Sequence, residues 1–128
     1  ILLNLAGNAI KFTNTGEIKI SIETQKISEN NCTLLFKVSD TGIGMTQEQK
    51  AIIFNGFSQA ESSISRKYGG TGLGLSIVKR LVSLMQGDIS VTSQLDKGSE
   101  FTFTITLNFS PVCNDTYSHL TQGLKILV

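Results

Sequence analysis

Arg66 to Leu75 reads Arg-Lys-Tyr-Gly-Gly-Thr-Gly-Leu-Gly-Leu, and an amphipathic helix follows at once. Gly70, Gly72 and Gly74 end a polar loop and open that helix. The chemistry this spacing supports is anion binding by backbone alone. A helix start leaves N–H groups unpaired and carries partial positive charge, and glycine allows a close approach. No Gly-Lys-Ser/Thr follows, so the run is not a P-loop. No strand directly precedes it, so it is not a dinucleotide-binding turn. A loop running into a helix start is the geometry left. Arg66 and Lys67 on that loop could swing onto a phosphate.

Two weaker groups precede it. Asn4 and Asn8 are four residues apart and Lys11 lies three further on, so one helix face presents all three. Carboxamide oxygens can ligate Mg²⁺, and Mg²⁺ beside a lysine suits a polyphosphate. A solvated polar face is the other reading. Asp40 ends an alternating segment and is followed by Gly42 and Gly44. A carboxylate there could accept a hydrogen bond from the exocyclic amine of adenine, where guanine presents a carbonyl. The glycines would let a base lie against backbone. An ordinary strand-to-helix turn is the alternative.

The elements that must hold these groups can be read from periodicity. Ile1 to Thr13 has a helical pattern, with Leu2, Leu5, Ala9 and Phe12 as one stripe and Leu3, Ala6 and Ile10 widening it. Ile18, Ile20 and Ile22 alternate with Lys19, Ser21 and Glu23, the pattern of a half-buried strand. Leu34, Phe36 and Val38 form its partner across a turn at Ser28 to Asn31. Thr46-Gln47-Glu48-Gln49 has the form of a capping box that starts a short helix through about Ile53. Phe54 and Phe57 read either as apolar hinges of the following polar stretch or as plain core packing. That stretch, Asn55 to Gly70, is long for an unstructured connection, and such loops are often functional. Leu75, Val78, Val82 and Met85 are the stripe of the next helix, which Gly87 ends. Ile89, Val91 and Ser93, then Phe101, Phe103, Ile105 and Leu107 after a Leu95-to-Gly98 turn, are two more strands. Strands apolar on one face imply a mostly antiparallel sheet covered by helices on one side. The expected fold is α+β, a two-layer α/β sandwich.

The 128 residues are enough for one domain with a core, and 40% hydrophobic with 16% charged is a globular balance. A formal charge of +1 gives no reason to expect nucleic acid or an anionic membrane surface. No apolar run approaches the ~20 residues of a transmembrane helix, and there is no secretory signal. Cys32 and Cys113 fit neither a metal spacing nor a disulfide framework and read as free thiols of a reducing compartment, the cytoplasm. His119, the one histidine, lies in a polar linker-like stretch. The first residues are helical in pattern with no cap before them, and Leu124 to Val128 looks like a strand just starting, so the chain is expected to be a piece of a longer protein.

The three groups stand in an order that makes a resemblance specific. Asn4-Leu5-Ala6-Gly7-Asn8-Ala9-Ile10-Lys11-Phe12-Thr13 resembles the N box of sensor histidine kinases. Asp40-Thr41-Gly42-Ile43-Gly44-Met45 is similar to their G1 box, Ile53-Phe54-Asn55-Gly56-Phe57 to their F box, and Gly70-Thr71-Gly72-Leu73-Gly74-Leu75 to their G2 box. The resemblance covers Ile1 to about Leu107. Phe57 to Ser63 with Arg66-Lys67-Tyr68 is similar to the lids of hybrid sensor kinases, and Leu124 to Val128 resembles the first strand of a receiver domain.

The resemblance implies the Bergerat ATP-binding fold of the GHKL superfamily, with a mixed, mostly antiparallel sheet and an N-terminal truncation. It implies a catalytic and ATP-binding domain at 1–107, a linker at 108–123 and the start of a receiver domain at 124–128. Its cofactors would be ATP and Mg²⁺. Asn8 would ligate Mg²⁺ with Asn4 supporting it, Lys11 would touch phosphate, and Phe12 would pack near adenine. Asp40 would read the adenine amine, with Gly42, Ile43 and Gly44 beside it. Arg66 would reach the γ-phosphate. Gly70, Thr71, Gly72, Leu73, Gly74 and Leu75 would hold the phosphates in a segment ordered by Mg·ATP. The partners implied are a helical phosphoacceptor-histidine domain and a receiver domain or response regulator, in a full-length homodimer that is cytoplasmic or anchored on the cytoplasmic face of a membrane. Asn55 and Gly56 depart from the F box, which usually has an acidic residue and a proline. No acceptor-histidine motif is present.

Three functions are compatible with such a domain: phosphoryl transfer to a histidine elsewhere, ATP hydrolysis as in gyrase-like relatives, or nucleotide sensing as a docking module. Resemblance to those gyrase-like relatives would imply, for hydrolysis, a carboxylate one turn before the metal-binding asparagine. Asn4 stands there, and a carboxamide is no base.

Overall fold

The computed structural model describes residues 1–54 and 73–108. Within them the elements run α1 (Leu2–Phe12), β1 (Ile18–Ile27), β2 (Asn31–Asp40), α2 (Gln47–Ile52), α3 (Gly74–Leu84), β3 (Ile89–Gln94) and β4 (Gly98–Asn108). The strands form one sheet in the order β1-β2-β4-β3. Every described pairing is antiparallel. Helix α1 packs on β2 and β1, α3 packs on β4, and the two helices touch each other. The fold is therefore the α+β sandwich expected, with the described strands antiparallel throughout.

The core sits between the layers. Leu5 and Ala9 of α1 and Val78 and Val82 of α3 are buried against Phe36, Val38, Ile89, Phe101, Phe103 and Ile105. The register places Phe36 opposite Phe103. Their rings stack with centroids 4.7 Å apart and 5° between planes. Such a pair adds about 0.5–1.5 kcal/mol beyond its area. The far face of the sheet is polar. There Lys37 pairs with Glu23 at 3.1 Å, the Ser39 hydroxyl donates to Glu100 at 2.9 Å, and Thr33 meets Thr106 at 3.2 Å.

Three expectations change. Leu3 and Ile10 do not widen the α1 stripe; they are 92% and 67% exposed. They are seven residues apart, two turns, so they share the face opposite Leu5 and Ala9. Ile18, Ile20 and Ile22 do lie on the core face, since the last two pair with Val38 and Phe36, yet they are 36%, 47% and 56% exposed. Alternation selected the right face, but β1 is an edge strand that the helices cover little. At the end of α3 the left-handed residue is Gln86, at φ 55°. Gly87 instead lets Thr104 O approach, 1.7 Å from where a Cβ would stand.

Helix α2 is short, so its capping matters. Gln49 N donates to Thr46 Oγ1 at 3.3 Å, and Thr46 N donates to Gln49 Oε1 at 2.8 Å, both halves of the box. A hydrogen bond to the Thr46 side chain, and secondly one to its own backbone, hold the Glu48 carboxyl below the usual carboxylate range. A depressed folded-state pKa stabilises above the unfolded value, and that contribution is lost as pH falls through the folded one. Thr46→Ala is expected to cost about 1 kcal/mol, read as a lower urea midpoint with unchanged slope.

Candidate functional site

Asp40 is the last residue of β2, opposite Ile18 on one side and Ser99 on the other. It shares the face of Phe36 and Val38, so its carboxylate lies on the helix side of the sheet, where the core ends. Its Oδ1 accepts from Gly42 N at 2.9 Å. This local turn holds the carboxyl group in place and leaves its second oxygen able to accept from a ligand.

The loop after Asp40 is held from two directions. Ile43 N donates to Phe12 O, at the end of α1, at 3.2 Å, and Asp96 N in the β3–β4 turn donates to Ile43 O at 2.8 Å. Gly44 has φ +63°, and a Cβ there would stand 1.9 Å from Gln94 O. Gly42 packs on α1, where a Cβ would be 2.2 Å from Phe12 O. Helix α2 is fastened to the same region, because Lys50 Nζ donates to Ser93 O at 3.1 Å. Phe54 meets Phe101 edge-on at 6.3 Å, which favours core packing for it over a hinge.

Between these parts lies a cavity of about 460 Å³, within the ~300–1,000 Å³ usual for small-molecule sites. Asn8, Ala9 and Phe12 line it from α1, Asp40, Ser99 and Phe101 from the sheet. Ile43, Gly44, Met45, Gln49 and Ile53 line the opposite wall, with Leu75 from α3 and Leu95 from the β3–β4 turn. The walls are mostly apolar, with polar side chains at Asn8, Asp40, Gln49 and Ser99. Such a slot suits a flat heteroaromatic ring with an amine for Asp40.

The cavity gathers Asn8, Phe12, Asp40, Ile43, Gly44 and Leu75 from the residues expected to form a site. Gly42 supports the loop from behind. Lys11 lies in the last turn of α1 with its ammonium 5.0 Å from the Phe12 ring centroid. Asn4 is exposed, and its Oδ1 lies 3.4 Å from the position of a Cβ on Gly74, so it abuts the first residue of α3. Leu73 caps α3 with no side-chain hydrogen bond. Arg66, Gly70, Thr71 and Gly72 lie outside the described residues, as do Phe57, Cys113, His119, most of the linker and the expected receiver strand. Reading by element missed Ala9, Met45, Gln49, Ile53, Leu95, Ser99 and Phe101 as lining residues. Gln49 carried a signal as a cap, while the others looked like ordinary strand, helix or turn positions.

The family described as Histidine kinase-, DNA gyrase B-, and HSP90-like ATPase matches residues 1–109. The chain belongs to this family. It is similar to the signal transduction histidine-protein kinase BarA of Escherichia coli K12, 47% identical over 111 residues, which is 87% of this chain and 12% of BarA. It is also similar to the autoinducer 2 sensor kinase/phosphatase LuxQ of Vibrio vulnificus, 41% identical over 136 residues, all of this chain and 16% of LuxQ. The chain thus spans under a fifth of these relatives. Among solved structures, full-length ShkA in complex with AMPPNP superposes with a TM-score of 0.63 at 38% identity, over 81% of this chain and 20% of ShkA. The resemblance to sensor histidine kinases and the Bergerat fold both hold. No described helix is long and apolar enough to cross a membrane.

Proposed function

We propose that this domain, on the cytoplasmic side, binds Mg·ATP in the cavity beside Asp40 and presents the γ-phosphate to a histidine on a separate helical domain of a two-component sensor kinase. The observation that carries it is the apolar cavity ended by the Asp40 carboxylate, one oxygen of which is already bonded to Gly42 N. AMPPNP, an ATP analogue, is the ligand named for the similar ShkA. In this reading adenine lies between the apolar walls with its amine on Asp40. The phosphates extend past Asn8 toward the start of α3, where Lys11, Arg66 and the backbone of Gly70 to Leu75 engage them. Transfer of this kind is mostly positioning and charge stabilisation. The accepting imidazole is already a nucleophile, so this domain needs no base. A receiver domain or response regulator would take the phosphoryl group next, in a homodimeric full-length kinase.

The residues present suit magnesium. Among the described residues no group of three His, Cys, Asp or Glu could hold a metal alone. Mg²⁺ instead keeps several waters and binds through one or two protein oxygens plus substrate phosphates. Asn8 offers a carboxamide oxygen at the cavity wall, and Asn4, one turn earlier, supports it against α3. When bound, the ion would neutralise phosphate charge. Asn8→Ala is expected to weaken Mg·ATP binding roughly tenfold, about 1.4 kcal/mol, and to leave metal-free adenosine binding unchanged. Calorimetry of both ligands checks this, and an equal loss for both would remove the metal role from Asn8.

The decisive experiment adds ATP and a separately made helical domain carrying the acceptor histidine. Phosphohistidine on that domain supports the proposal. Steady phosphate release without it would favour hydrolysis, and ATP binding with neither would favour a nucleotide-sensing module.

A further inference from the structure

Gln49 lines the cavity, half-buried, on the first turn of α2. Its carboxamide is not free to choose which end faces the ligand. Thr46 N donates to Gln49 Oε1 at 2.8 Å, and a flipped amide would set NH₂ against that N–H, donor against donor. The oxygen is thereby committed to the helix cap, and what remains is the NH₂ group, which can only donate. Of the polar side chains on the wall, Asp40 is acceptor-only when ionised. The Ser99 hydroxyl lies 3.1 Å from Ser93 Oγ, and that hydroxyl donates to Gly98 O at 2.8 Å. Asn8 also carries an NH₂ group, but its oxygen is the part assigned above to the metal; Gln49 is the side chain whose amide a bond within the protein orients, so that its NH₂, opposite in sense to Asp40, is left to donate. A nucleoside carries both kinds of group: the amine, and acceptors on the ring nitrogens and sugar oxygens.

We infer that Gln49 is a second specificity-determining residue, its Nε2 donating to an acceptor on the nucleoside part of the ligand while its Oε1 caps α2. This rests on the adenine-nucleotide reading above and names a further contact of that same site. The pinned amide also explains how a residue on so short a helix can be placed well enough to discriminate: the capping bond orients the group that reads the ligand.

Gln49→Glu is the informative variant, because glutamate at this position keeps the capping box and has the same shape, yet has lost the donor. The full chain and the variant are titrated with adenosine and with ATP at neutral pH, and the urea midpoint is measured to confirm the cap. Adenosine binding roughly tenfold weaker in the variant, at an unchanged midpoint, is the expected result. The same titrations with 1-, 3- and 7-deazaadenosine and with 2′- and 3′-deoxyadenosine identify the acceptor. The analogue lacking it should bind the parent more weakly and lose nothing further in the variant, the coupling a double-mutant cycle detects. Equal adenosine affinity in parent and variant would overturn the inference. So would a loss seen with ATP alone, which is charge repulsion, or losses that add independently for every analogue. A parent chain that binds neither adenosine nor ATP would instead refute the nucleotide reading itself.

Discussion

Gly98→Ala should unfold the end of the sheet on which the site is built. Gly98 opens β4 directly beside Asp40, at φ +99°. An added Cβ would stand 1.9 Å from Asp40 O, 2.8 Å from Asp40 C and 2.8 Å from Thr41 Cα. These are backbone atoms, so no rotamer change relieves the contact. Either β2 and β4 part where Asp40 sits, or the turn rebuilds and releases Asp96 N from Ile43 O. The backbone conformation and the overlap together are expected to cost about 3 kcal/mol. That is a large share of the ~5–15 kcal/mol that holds an ordinary domain together. The measured signature would be a large drop in urea midpoint with loss of ATP binding even where the variant remains folded. A near-parental midpoint together with parental affinity would show that the turn does not brace the loop.

Asp40→Asn should act on recognition with little effect on the fold. Asparagine Oδ1 can still accept from Gly42 N, so the local turn is kept. The atom facing the ligand changes from an ionised acceptor to an NH₂ donor, which meets the adenine amine as donor against donor. Hydrogen bonds to charged groups are worth ~1.5–3 kcal/mol, so ATP should bind roughly tenfold to a hundredfold more weakly. Guanine presents a carbonyl at that position, so GTP should lose less or gain. The ratio of ATP to GTP affinity, measured by calorimetry on parent and variant, therefore falls. An unchanged ratio would show that Asp40 does not face the base.

These two residues illustrate what could be read in advance. Asp40 was recognisable because a carboxylate at a strand end followed by two glycines is a local pattern. Gly98 looked like a turn glycine and nothing more, because its importance lies in its distance to Asp40, 58 positions earlier in the chain. Gln49 was legible as half of a capping box, but its place on the cavity wall depends on how α2 is fastened to β3 through Lys50 and Ser93. The β1 isoleucines show the same limit in the core. Alternation determines which side chains share a face, and it carries no information about whether a helix lies over that face.

By itself the sequence determined the elements, the main apolar stripe of each, though not how wide the α1 stripe is, and the order of motifs that ties the chain to its ATPase family. Periodicity, caps and glycine spacing act over a few residues, so they are written locally. Tertiary structure alone decided how α1, the Asp40 loop, α2 and the β3–β4 turn close around one cavity, and which side chains end on its wall. Those outcomes rest on contacts between residues tens of positions apart, set by strand register and by backbone approach at Gly44 and Gly98.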